Sequence, residues 1–460
     1  MASFDLVIKN GAVWTPGGIV TTDLAIHRGK IAALGSADVF AEAKETIDAS
    51  GKAIVPGLID THTHHRDPGY THKEDLFTAT QAAAAGGVTL SVGMPNVNPP
   101  TTTLARYNSI VKNGVKKAVV HFNHNPAPTH LKEVPKLAKS GALAFKLFMI
   151  RDTRRSYPHM PGIGVSHQGD LLRIFEAVAE TNLPLMVHPH SQEIMDVVEQ
   201  GYWKRGLRGP TAYADAYRAH KGIVWDSAIA TLLRMQEATG AKLHVLHVNT
   251  LGAVELIRRA KDKGQDVTAE VNPWALFLGH KRENLTKLGP YALGIWLPEA
   301  DSLAMWDAIR DGTIDVCGTD HAPHTSAEKE IGWKDMWEAP GGAPVIQEYL
   351  SLFLSEVNRG RISLDRLVRL TSHNPAQRFA LAPRKGTIQV GADADLAIID
   401  LKQEKTILTE EMYSKCGWTP YAGQKVIGVP TMTLVKGKVV MRDGKVTGKA
   451  GDGEWAKPNK

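Results

Sequence analysis

Apolar residues in this chain gather in short runs separated by turn residues, and the character of the runs changes twice along its length. Segments 5–9, 12–14, 23–27 and 30–34 are brief β-like runs broken by Gly and Pro. The far end reads the same way: 391–400 closes in a strand at 396–399, and 431–441 gives two more around Val435-Lys436-Gly437. Two β-rich ends around a different middle predict that the termini meet as one small β-sandwich domain.

In the middle, apolar runs end near His62, Met94, Phe122, Leu147, His188, His247, Val271 and Asp320, with helical patterns between most of them. Segment 75–85 is helix-like and closed by Gly86-Gly87, and 251–263 repeats apolar residues at helical spacing until Gly264. Eight β-runs alternating with helices predict the α/β class and a (β/α)8 TIM barrel. The expected division is 1–54 for the first part of the small domain, 55–378 for the barrel, and 379–460 for the rest of the small domain and a tail. Segment 151–168 is rich in turn residues and reads as a long loop over the barrel mouth.

Composition narrows the class. Hydrophobic residues make up 43% and charged residues 22% of 460, which is ordinary for a folded globular protein. A net charge of +6 without a dense Lys/Arg track argues against a nucleic-acid partner and suits a small anionic substrate. Cys317 and Cys416 form no spaced pair, so no disulfide framework is expected. The N-terminus lacks a secretory pattern and no apolar stretch is long enough to span a membrane, so the expected location is cytoplasmic.

The runs end on chemistry. They read DTHTHHR (60–66), AFKLF (144–148), LMVHPH (185–190), VLHVN (245–249) and CGTDHAPH (317–324). Residues two apart in a strand share a face, so His62 and His64 can address one ion. His188, His247 and Asp320 each follow an apolar run, and barrel enzymes carry their function at such strand ends. Lys146 sits in a nearly all-apolar run, where an unpaired ammonium is costly. It has three readings: a salt bridge, a stem that snorkels to the mouth, or an amine that takes up CO₂ as a carbamate, an anionic ligand able to bridge two cations. Imidazole and carboxylate ligands suit zinc, with manganese, cobalt and iron left open.

The order His-x-His, Lys, His, His, Asp resembles that of the cyclic amidohydrolases, the group of dihydroorotases, hydantoinases (dihydropyrimidinases) and allantoinases. PGLID (56–60), AAAAGGVT (82–89), TDHAPH (319–324), HNPA (373–376) and GADADLAIID (391–400) carry the likeness over nearly the whole chain. The resemblance implies that His62 and His64 bind the more buried of two divalent ions, that His188 and His247 bind the other, and that carbamylated Lys146 bridges them. Asp320 would complete the first ion's ligands and carry the catalytic proton. It also implies a dimer or tetramer of identical chains.

Within that group, Arg66, Asn96 and His324 match the dihydroorotase positions that hold the substrate carboxylate, and HRDPG (65–69) and Lys73-Glu74-Asp75 are similar to that subgroup as well. The expected substrate is therefore a small cyclic amide or ureide bearing a carboxylate, with an allantoinase or hydantoinase as the alternative. A non-catalytic assembly role is a remote one, since relatives of that kind lack several ligands. The pocket departs from the family elsewhere. Arg151 stands where hydantoinases carry a tyrosine, 296–300 replaces a Pro-Pro-Leu-Arg stretch, and Val271-Asn272-Pro273-Trp274 ends the seventh run. Arg151 and Asn272 are taken as substrate contacts, with Trp274 as a possible wall. His121, His124, His130, His159, His167, His220, His244 and His280 are left to surface or core roles.

Overall fold

The structure is a computed structural model that describes residues 4–36, 38, 40, 42–150 and 162–459. Eight parallel strands line the centre: β6 (Leu58–Thr63), β7 (Val88–Gly93), β8 (His121–His124), β9 (Phe145–Phe148), β10 (Leu185–His188), β11 (Leu243–Val245), β12 (Val267–Val271) and β13 (Val316–Cys317). They form two sheets, ordered β6-β7-β8 and β9-β10-β11-β12-β13. Backbone bonds join the sheets into a barrel. The amide of His64 donates to the carbonyl of His321 at 2.7 Å, and that of Lys146 to Pro126 at 3.0 Å. Strands such as β10 are buried on both faces, which explains a run that is apolar up to its final His188.

Local chemistry starts and stops the helices. Asp75 and Thr78 form a reciprocal capping box at the start of helix Leu76–Ala85. Its Ala-rich body is buried, and Gly86 ends it where a Cβ would lie 2.4 Å from the carbonyl oxygen of Ile346. Thr250 caps helix Leu251–Asp262 by accepting from the amide of Ala253 at 3.0 Å.

Both ends of the chain build one large sheet. From the first part come β1 (Phe4–Thr15), β2 (Gly18–His27), β3 (Lys30–Gly35), β4 (Ala43–Asp48) and β5 (Ala53–Pro56). The last part adds β14 (Leu396–Thr406), β15 (Lys425–Val435), β16 (Lys438–Arg442) and β17 (Lys445–Val446). The order is β17-β16-β15-β14-β5-β1-β2-β3, with β4 beside β1. The two halves meet where β5 pairs antiparallel with β14, Ile54 opposite Ile398. Leu6, Ile8, Leu24, Ile26, Ile54, Ile398 and Leu434 fill the core on one face.

Details differ from the sequence pattern for physical reasons. Runs 5–9 and 12–14 are one strand, carried through a bulge between Ile8 and Gly11. β4 carries Lys44 and Glu45 and was not foreseen, because a half-exposed strand beside the sheet keeps polar residues on its open face. The tail returns to the barrel: Phe122 donates to the Glu454 carbonyl at 3.0 Å and accepts from Ala456 at 2.9 Å. Of the loop expected at 151–168, positions 151–161 lie outside the described residues. The part from 162 leads past β9, where Val165 donates to the Phe148 carbonyl at 2.8 Å, into helix Gln168–Ala179. Among the described residues no helix is long and apolar enough to cross a membrane.

Candidate metal centre and substrate pocket

The candidate ligands gather at the C-terminal mouth of the barrel. His62 and His64 project from one face of β6. The Nδ1 of His62 donates to Oε1 of Glu270 at 2.8 Å, and that of His64 donates to Oδ1 of Asn96 at 2.7 Å. Each bond fixes the tautomer and leaves Nε2 with its lone pair turned inward. Those two Nε2 atoms lie 3.2 and 2.9 Å from a single oxygen, Oδ1 of Asp320. Two imidazole nitrogens and a carboxylate oxygen that converge on one point are a donor set that suits a cation. His62, His64 and Asp320 form a group whose ligand atoms all lie within 4.8 Å of one another.

Electrostatics agree with that geometry. Burial pushes His62 down to about 3 and His64 down to about 4, so both imidazoles are neutral near pH 7. Burial works against the Asp320 carboxylate, yet His62, His64 and His247 hold it well below the usual carboxylate range. Asp320 and His247 lie just past β13 and β11 with φ of 49° and 37°, as does Arg66 past β6 with φ of 59°. Non-glycine residues rarely adopt this left-handed region, and such strain collects at functional sites. It also explains why those two strands stop two or three residues before the ligand.

Lys146 points inward from β9 and is wholly buried. Its Nζ lies 3.2 Å from Nε2 of His62 and 4.6 Å from the centre of the Phe148 ring. Burial brings its amine down to about 8 in spite of Asp320 and Glu270. Complete burial excludes snorkelling, and among the described residues no carboxylate forms an ion pair with it. The rings of His188 and His247 are 4.5 Å apart, and His247 is 5.9 Å from His62. Nδ1 of His247 is buried without a hydrogen-bond partner among the described residues. The six candidates thus converge on one place.

Two further acids support the cluster. Oδ1 of Asp60 accepts from the amides of His62 and Thr319, both at 3.1 Å, and so ties the mouth ends of β6 and β13 together. Glu270, next to the last residue of β12, is the partner that sequence reasoning missed. Gly318 makes room for it: a Cβ there would lie 2.2 Å from Oε2 of Glu270. His244, left to the core, is wholly buried behind it with Nε2 3.7 Å from that carboxylate.

A cavity of about 130 Å³, open to solvent, spreads from the six candidates. Arg66, Asn96 and His324 line one side. Nε of Arg66 donates to the Pro323 carbonyl at 3.2 Å, and its NH2 lies 2.9 Å from Nε2 of His324. Asn96 therefore serves His64 as well as bordering the cavity. Tyr217, Trp225, Trp274, Ile295 and Trp296 form an aromatic and apolar wall elsewhere. Asn272, expected as a contact, is buried outside the lining, because it is the N-cap residue of helix Pro273–Phe277; Trp274 and Asn249 reach the cavity instead. Arg151 lies outside the described residues.

A barrel of this kind with His, Lys and Asp at its strand ends defines a class of hydrolytic metalloenzymes. The Amidohydrolase family matches residues 53–440, and the chain belongs to that family. It is 33% identical over 460 residues to an L-hydantoinase of Paenarthrobacter aurescens, covering 98% of each chain. With a dihydroorotase of Ligilactobacillus salivarius it shares 34% over 457 residues, 95% of this chain and 99% of that one. The solved L-hydantoinase (dihydropyrimidinase) of Arthrobacter aurescens superposes with a TM-score of 0.93 at 32% identity, over 99% of this chain and 100% of its own.

Proposed function

We propose that this protein is a metal-dependent hydrolase that opens a cyclic amide or ureide ring. The observation that carries the reading is the meeting of the His62 and His64 Nε2 atoms with one Asp320 oxygen, 3.2 and 2.9 Å away. Two divalent ions fit these donors, zinc by ligand type: His62, His64 and Asp320 would hold one, and His188 and His247 the other. Lys146, as a carbamate, would bridge them; its lowered amine pKa favours the neutral form that reacts with CO₂. Bound there, the ions would supply the Lewis acidity for hydrolysis at neutral pH.

The chain's own groups handle the proton. As water adds to the ring carbonyl, the Asp320 carboxylate accepts its proton. Asp320 then returns it to the ring nitrogen as the C–N bond breaks, leaving a carboxylate and an amine-side product. Glu270 and Asn96 keep His62 and His64 in the tautomers this requires.

We infer that the preferred ring bears a carboxylate. The guanidinium of Arg66 borders the cavity beside Asn96 and His324, and its planar fork suits a carboxylate. The aromatic wall favours a second reading, a hydantoin with a bulky apolar substituent. Steady-state kinetics of the metal-loaded enzyme on dihydroorotate, 5-substituted hydantoins, dihydrouracil and allantoin test both, and turnover of none would overturn ring opening. In the same reading the terminal segments 1–54 and 379–460 form one domain around a barrel at 55–378, and the enzyme works in the cytoplasm as a dimer or tetramer.

A further inference from the structure

The aromatic side of the cavity, away from Arg66, holds a second arginine. Arg218 ends helix Pro210–Arg218 and borders the cavity beside Tyr217, Trp225 and Trp296. Its Nε donates to the Trp296 carbonyl, and NH1 donates to that of Asn249 at 2.9 Å. NH1 also donates to Oδ2 of Asp301 at 3.2 Å. The other oxygen of Asp301 accepts from the amide of Leu251 at 2.7 Å, so one carboxylate holds both the arginine and the start of the helix that follows β11. The guanidinium plane is thereby fixed. Its NH2 makes no hydrogen bond among the described residues, and the side chain stays 8% exposed.

This open nitrogen can only donate, and a donor covered by a ligand that offers it nothing is costly. Its charge is already served: Asp301, and Asp226 close by, both favour the charged form. A second anion is therefore not called for, and a neutral acceptor is enough. The place is within reach of the reacting end. The Trp225 ring lies 5.9 Å from the rings of His188 and of His247. A Cβ on Gly222 would stand 3.8 Å from Cδ1 of Trp225 and 3.8 Å from NH1 of Arg218. Arg218 thus sits about one indole beyond two candidate metal ligands, a span that suits an arylmethyl substituent on a ring held at those ligands.

We propose that Arg218 is a specificity-determining residue that gives the apolar wall a directed donor, so that the protein selects hydantoins whose ring substituent carries a neutral hydrogen-bond acceptor at its tip. The inference rests on the hydantoin reading above. 5-Benzylhydantoin and the ortho, meta and para 5-(pyridylmethyl)hydantoins share one shape and differ only in that acceptor. A wall without a directed donor would disfavour every pyridyl isomer, because the ring nitrogen gives up its water on entry. The two readings therefore predict opposite signs.

With the metal-loaded wild type, at least one pyridyl isomer should exceed 5-benzylhydantoin in kcat/KM by roughly threefold to thirtyfold, through KM. Arg218→Lys keeps a charge beside Asp301 but loses the planar fork, so the pyridyl-to-benzyl ratio should fall by roughly tenfold, whatever happens to the rate the two substrates share. The wild-type comparison decides by itself if that variant does not fold. A wild type in which no pyridyl isomer exceeds the benzyl compound, or a ratio that Arg218→Lys leaves unchanged, would overturn the role of Arg218 alone. Absence of turnover on every one of these hydantoins would overturn the hydantoin reading, and this inference with it.

Discussion

Glu270 and His62 are joined by a bond of 2.8 Å between Oε1 and Nδ1, made across the barrel from β12 to β6 and wholly shielded from water. It decides which nitrogen of His62 faces the candidate metal site. Glu270→Leu should weaken divalent metal binding by roughly tenfold to a hundredfold, and Glu270→Gln by less, because an amide oxygen can still accept from Nδ1. Metal content after dialysis against graded chelator checks this. Equal retention in wild type and the Leu variant would remove the role.

Lys146→Ala should lose most bound metal and activity together, and short carboxylic acids added to the buffer should restore part of both. Elemental analysis with and without acetate or propionate reads the outcome. Unchanged metal content would contradict a bridging carbamate.

Asp320→Asn should separate binding from turnover. The amide can still offer an oxygen to an ion but cannot carry the proton, so kcat should fall roughly a hundredfold to ten-thousandfold while metal loss is smaller. Parallel titration of metal and rate tests this, and equal losses would make Asp320 mainly structural.

Stability of the metal-stripped protein should fall with pH. Burial holds His62 and His124 down to about 3, His64 to about 4 and His190 to about 3, against 6.5 for an ordinary imidazole. Between about pH 6.5 and 4 the unfolded chain binds protons at these positions and the folded chain does not, so each unit of acidification costs stability. Asp60 and Glu348 work in the opposite sense: burial raises both to about 7, so the folded chain binds their protons between about pH 3.8–4.5 and 7 and gains stability as pH falls. Four imidazoles outweigh two acids, and urea unfolding from pH 7 to pH 4.5 should show declining midpoints. A flat profile would mean that these rings titrate normally.

The alternation of apolar runs with helical patterns was enough to read the barrel, because parallel strands buried on both faces leave a clear apolar signal in segments such as 145–148 and 185–188. The six candidate ligands were legible for the same reason: a polar side chain at the end of such a run must have a partner. Glu270 carried an equal signal, a charge between Ala269 and Val271 in a buried strand, and the reasoning applied to Lys146 would have found it. Lys73 was legible only through the family likeness of Lys73-Glu74-Asp75, since in a polar loop nothing local foretells that its Nζ comes 3.1 Å from His324. Asn272 and Trp274 show the remaining difficulty. Just past a strand, one residue of rotation decides which side chain borders the cavity, and only the local helix start at Pro273 sets that rotation.

The pairing of Ile54 with Ile398 bears on how the molecule is made. Strands β1 to β5 leave the ribosome first, yet β14, their partner at the sheet's centre, is synthesised only after the whole barrel. Until then β5 presents an open edge beside a nascent barrel, so completion of this sheet is a late event, slow by virtue of its long sequence separation and open in the interval to capture by chaperones or by another unfinished copy.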